Sequence, residues 1–264
     1  MILNLFKKKP VLEEDTILWM FDNFSWALKH FDANVFFKET ILVVPSNALF
    51  PGRADSVHEM AEMIFERVKQ YAGVTHWPCR LMDESDVENM PTPRLLLQGP
   101  VRGAQGIVPA DVDDANKLVI TYNPFAINDP EVMIANYAHV LAHYVGTLSA
   151  ESPPDGVENW PHITELLAVF MGFGLIMANT AHTTKIRSCG SCSGPAVERT
   201  NYLSQLDTTY ALAIFCNLKD IPASKVKPYL KASLWPFYKK ACKDLVGREE
   251  ELSRLRQINN SLPN

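Results

Sequence analysis

Hydrophobic positions in the first 125 residues follow two different spacings. Apolar side chains recur every three or four positions in 15–31 and again in 56–71, which predicts two amphipathic helices. Short apolar runs bounded by proline, glycine and polar residues predict strands, at 40–45, 76–82, 94–97 and 117–122. We therefore expect residues 1–125 to form a small mixed sheet accompanied by helices.

Residues 126–264 have a helical pattern instead. Asp129-Pro130-Glu131 is a favourable helix start, because aspartate can cap, proline fits the first helical position and glutamate complements the helix dipole. That helix is predicted to reach about residue 148, and a second helix is predicted over 161–179. Further helices are predicted at 207–217 and 225–246, before a charged segment, 249–264, that is expected to fray.

The two patterns together predict an α+β fold. Its N-terminal part, 1–125, supplies the sheet, and its helical part, 126–264, returns on itself through the loop after residue 150. The two helices on either side of that loop are predicted to run antiparallel, and we expect both parts to form one compact unit.

Composition narrows the classes of function and location. The chain of 264 residues has 25 basic and 30 acidic side chains, a formal net charge of −5, which argues against nucleic-acid binding. Lys7-Lys8-Lys9 follows a short apolar run, the reverse of a secretory leader, and is interpreted as a solvated tail. The longest apolar stretch, 166–178, is too short for a membrane span and predicts a core helix. We therefore expect a cytoplasmic protein with reduced cysteines.

Candidate metal chemistry centres on His139 and His143, in the first helix of the helical part. Residues four apart lie on one face of a helix, so the two imidazoles can bind one zinc ion at about 2.0–2.1 Å. The alternative is that each histidine is a hydrogen-bonded core residue. For this pair alone, the second interpretation is the commoner one.

Glu165, near the start of the following helix, strengthens the metal hypothesis. Its neighbours are apolar, and a buried carboxylate needs a partner, which a metal ion between the two helices would provide. It can also be explained as an acidic residue that complements a helix N-terminus. His162, one turn earlier, is the alternative third ligand or a hydrogen-bond partner of a ligand.

This arrangement resembles the core of a zincin metallopeptidase of the glutamate-ligand kind. The resemblance covers roughly residues 117–180, and the whole chain looks similar to a group of bacterial zincin-like proteins. It implies zinc as the cofactor and His139, His143 and Glu165 as ligands. In that family the motif reads His-Glu-x-x-His, and the glutamate activates the metal-bound water. Here the motif reads HVLAH, with Val140 at the position of the general base.

Valine cannot accept a proton, and general-base catalysis contributes about 10²–10⁴ in rate. The sequence therefore predicts a degenerate metallopeptidase homologue that binds a metal but has little or no hydrolase activity. Two alternatives stay open. A loop carboxylate, from Glu151, Asp155 or Glu158, could replace the base in an active zinc hydrolase. The protein could also be a metal-free interaction or scaffolding protein with a protein or peptide partner.

Cys189 and Cys192 form a second candidate motif, a C-x-x-C in a polar segment with His182 upstream. A structural zinc site would need four ligands, and the chain has no second C-x-x-C. The pair is interpreted mainly as incidental, with a labile disulfide or a metal site that includes His182 as the alternatives.

Overall fold

Helices form most of the residues that the computed structural model describes, which are 11–86, 95, 97–109, 112–181 and 202–261. The Cys189 and Cys192 motif and the tail at Lys7-Lys8-Lys9 lie outside these residues. The described helices are α1 (Glu14–His30), α2 (Val57–Ala72), α3 (Pro130–Thr147), α4 (Trp160–Ala168), α5 (Gly174–Thr180), α6 (Gln205–Leu218), α7 (Ala223–Val226), α8 (Trp235–Leu245) and α9 (Glu249–Ser261).

The sheet in the described residues has two strands. β1 (Cys79–Asp83) and β2 (Leu118–Tyr122) pair in parallel, with Cys79 opposite Leu118. The predicted strand at 40–45 is wrong, because its extended backbone pairs with a helix instead of a strand: Val43 N donates to Gly172 O at 2.9 Å. Of the region predicted as a strand at 94–97, the described residues belong to no strand, and an isolated antiparallel bridge follows between Gln98 and Ile107.

The α3 helix begins and ends close to the predicted positions. Asp129 caps its N-terminus by accepting a hydrogen bond from Val132 N at 3.3 Å, and Pro130 occupies the first turn. Its buried residues include aromatic and aliphatic side chains on most of its circumference. An apolar helix of this kind lies in the interior, so its polar residues need partners within the fold.

The second helix of the predicted pair contains an irregularity. A π-helical turn, Val169–Phe173, joins α4 to α5, and Gly172 has a φ of +100° there. The continuous helical stretch Val157–Thr180 is long and apolar enough to cross a membrane, yet all of its most apolar window is buried within the fold. Such burial is typical of the core helix of a soluble protein, as the sequence predicted.

The C-terminal region differs from the single helix expected at 225–246. Two short helices, α7 and α8, replace it, and both Pro228 and Pro236 fall within the predicted range. Proline lacks the N–H donor of a helix interior, so Pro236 instead lies in the first turn of α8. The charged segment beyond it forms α9 as far as Ser261.

One hydrophobic cluster contains residues of both predicted parts, from Ile17 and Phe65 to Leu212 and Leu255. Arg248 further links the two ends of the described chain. Its guanidinium donates to Glu14 at 2.7 and 2.8 Å and to Asp244 at 2.8 Å, and Tyr210 also donates to Asp244. The helical part therefore shares its core with the part that contains the sheet. The division at residue 125 stays a prediction.

Candidate functional site between helices α3 and α4

The two predicted histidine ligands lie on α3, where it packs against α4. His139 is buried, with 4% of its surface exposed, and His143 is partly buried one turn later. Because α3 is a regular helix, these two residues, four positions apart, lie on the same face. Leu141 and Ala142, between the histidines, are completely buried.

His143 has a hydrogen-bond partner that sequence reasoning did not find. The indole nitrogen of Trp160, the first residue of α4, donates to His143 Nδ1 at 3.1 Å. An indole N–H can only donate, so Nδ1 must be the unprotonated nitrogen of the ring. The proton of the neutral imidazole is therefore on Nε2. Burial lowers the pKa of His143, which favours this neutral form.

Glu165 is almost completely buried on α4, with 1% of its surface exposed. Its Oε2 accepts a hydrogen bond from Leu203 N at 2.8 Å, so the carboxylate anchors the segment that leads into α6. His162, one turn earlier, packs its ring against Tyr202, with the ring centroids 5.6 Å apart. Glu165 and His162 therefore both contact the segment that leads into α6.

Val140, at the position where the resembled family has its general base, is partly buried against the core. None of the three candidate replacement carboxylates forms a hydrogen bond or an ion pair with His143. The Glu151 backbone carbonyl accepts a hydrogen bond from Trp26, and its carboxylate lies 3.5 Å from His30 Nε2, on α1. Asp155 and Glu158 are both exposed, and Asp155 has a φ of +63° in the turn before α4.

Zinc coordination can be tested against these contacts. A histidine ligand gives the lone pair of one ring nitrogen to the metal and usually donates the proton of the other to a neighbour. For His143, Trp160 takes the lone pair of Nδ1 and the proton is on Nε2, so neither nitrogen can bind zinc in this arrangement. Within the described ranges, no three histidine, cysteine, aspartate or glutamate side chains form a group that could hold a metal ion. His143 as placed does not fit a zinc ligand.

Trp160 was identifiable in part from the sequence. It precedes Pro161 at a helix start, and Gly146 lies three residues after His143 on α3. A Cβ added to Gly146 would lie 2.7 Å from Trp160 Cη2, so the missing side chain makes room for the indole. A glycine in an otherwise apolar helix indicates such a close approach, although it does not identify the group that approaches.

Comparisons with protein families, curated proteins and solved structures find no match to this chain. The resemblance to the zincins therefore rests on the residues described above.

Proposed function

We propose that this chain is a non-hydrolytic relative of the zincin metallopeptidases that acts as an interaction or scaffolding protein. The observation that carries the proposal is Val140, an aliphatic side chain at the position where the resembled family has its general base. Without a proton acceptor there, attack by water on a peptide bond loses about 10²–10⁴ in rate.

The contacts of the loop carboxylates support this proposal. The Glu151 carboxylate lies 3.5 Å from Nε2 of His30 on α1, and Asp155 and Glu158 are solvent-exposed. A general base must come within hydrogen-bond reach of the proton that it abstracts, directly or through one water. These positions favour a protein that binds a partner over an active hydrolase with a displaced base.

A second candidate is a metal-binding protein without hydrolase activity. The observation that favours it is the presence of His139 and Glu165, a basic and an acidic side chain, both buried on packed helices. A metal ion is one way to stabilise such groups. The partners of His143 disfavour a three-ligand zinc site, and a metal would have to displace Trp160 first.

Hydrolysis of a fluorogenic peptide library tests the proposed lack of activity. We expect the tag-free wild-type protein, with zinc added, to show no turnover above the rate without protein. Val140→Glu restores the motif, yet we expect no gain, because the His143 lone pair is already engaged. Val132→Glu, on the same helix but outside the motif, controls for an added carboxylate, and circular dichroism checks that both variants are folded. Turnover by the wild type that depends on both His139 and His143 would contradict the proposal.

A further inference from the structure

Trp160 connects α4 to the histidine face of α3 both by packing and by a hydrogen bond. Its ring lies over Gly146, where an added Cβ would be 2.7 and 2.9 Å from two of the indole carbons. Its plane is inclined by 82° to the His143 ring, with centroids 6.0 Å apart. Pro161, next along the chain, restricts the backbone at the start of α4. The indole is thus held by packing on one side and a hydrogen bond on the other.

We propose that Trp160 fixes His143 in the Nε2-protonated form and replaces a metal ion as the link between α3 and α4. A metal ion in the resembled family joins two helices through side-chain ligands. Here the indole N–H of Trp160, on α4, links the two helices by donating to Nδ1 of His143. A metal ion could otherwise bind that nitrogen. This role of Trp160 rests on the proposed function, since it gives the degenerate site between α3 and α4 a structural role.

The hydrogen bond also has a consequence for proton binding. A donor directed at Nδ1 stabilises the neutral imidazole and opposes protonation of that nitrogen. The ring of Tyr144 is the other aromatic contact, at 5.5 Å between centroids. Removal of the indole donor should therefore leave Nδ1 of His143 without this hydrogen bond even if the helices stay packed.

Trp160→Phe tests the proposal because it keeps an aromatic ring and removes the donor. Trp26→Phe is the matched control, since the Trp26 indole also donates one hydrogen bond, but to the backbone carbonyl of Glu151. We expect nitrogen NMR of the wild type to show His143 with a protonated Nε2 and an acceptor Nδ1. In Trp160→Phe we expect the nitrogen signal of a hydrogen-bonded Nδ1 of His143 to disappear, whereas Trp26→Phe should leave that signal unchanged.

A double-mutant cycle measures the link itself. Trp160→Phe, His143→Leu and the double variant are compared by denaturant unfolding, and a coupling of about fivefold in the unfolding equilibrium constant is expected for one net hydrogen bond. Zero coupling would overturn the proposal, as would a wild-type spectrum with a protonated Nδ1 or with zinc-shifted His143 signals. If Trp160→Phe does not fold, the wild-type spectrum with and without zinc still decides. Peptidase activity would overturn the proposed function, but it would leave these readouts interpretable.

Discussion

Gly172→Ala is expected to destabilise the protein by more than about 3 kcal/mol, a large fraction of the roughly 5–15 kcal/mol that stabilises a typical folded domain. Gly172 has a φ of +100°, which an L side chain rarely adopts, and an added Cβ would lie 2.2 Å from the backbone oxygen of Ile41. The backbone cannot move aside freely, because the Gly172 carbonyl accepts the hydrogen bond from Val43 N. Denaturant unfolding followed by circular dichroism measures the loss.

Gly156→Ala is the control that separates backbone strain from the clash. Gly156 also has a positive φ, +75°, but nothing lies within 4 Å of its added Cβ. Its ψ of −176° places Gly156 in a region that is almost exclusive to glycine, so conformational strain alone should cost about 1–3 kcal/mol. If both variants lose the same small amount of stability, the close approach between Gly172 and the 40–44 segment does not exist as described.

Arg102→Ala is expected to cost about 3–5 kcal/mol, because it leaves a cavity and removes the hydrogen bonds to two buried oxygen atoms. The Arg102 guanidinium donates to Ala72 O at 2.8 Å and to Thr40 Oγ1 at 3.2 Å, and it lies 5.4 Å from the centre of the Phe170 ring. Burial lowers its pKa to about 10, so the side chain is still charged at neutral pH. It thus joins the end of α2, the segment after α1 and the π-helical turn.

Arg53→Ala is the control for Arg102→Ala. Arg53 is exposed, so its removal should change the free energy of unfolding by no more than about 0.5 kcal/mol. Chemical unfolding of both variants, with the slope checked for two-state behaviour, gives the comparison. An equal, small loss for Arg102→Ala would show that the buried guanidinium contributes little to the junction of these segments.

Local patterns in the sequence were sufficient for the long helices. Apolar residues at helical spacing predicted α1 and α2, and the Asp129-Pro130 start predicted α3 almost to the residue. The glycines at 172 and 174 lie at points of close packing, because Gly172 approaches Ile41 and an added Cβ at Gly174 would meet Val169 and Leu212. These features depend on neighbours in the chain or on the absence of a side chain, both of which a sequence displays.

Long-range contacts could not be predicted in the same way. The 40–45 segment has the composition of a strand, but its hydrogen-bond partner is the π-helical turn more than 120 residues later. At the candidate site, the spacing of His139 and His143 correctly predicted a shared helix face. The donor that binds His143 comes from another helix, and no periodicity along α3 indicates it. The proposed zinc ligands therefore stay a hypothesis that the Trp160 contact disfavours.

Zinc content of the tag-free protein tests the central claim most directly, namely that the two-helix site is held by side-chain packing and hydrogen bonds instead of a metal ion. The protein is saturated with zinc and dialysed, and the zinc bound per chain is then measured by elemental mass spectrometry. We predict less than about 0.2 equivalents of zinc and no rise in the melting temperature, because a ligand that binds only weakly adds little stability. About one equivalent, lost in both His139→Ala and His143→Ala, would contradict the account.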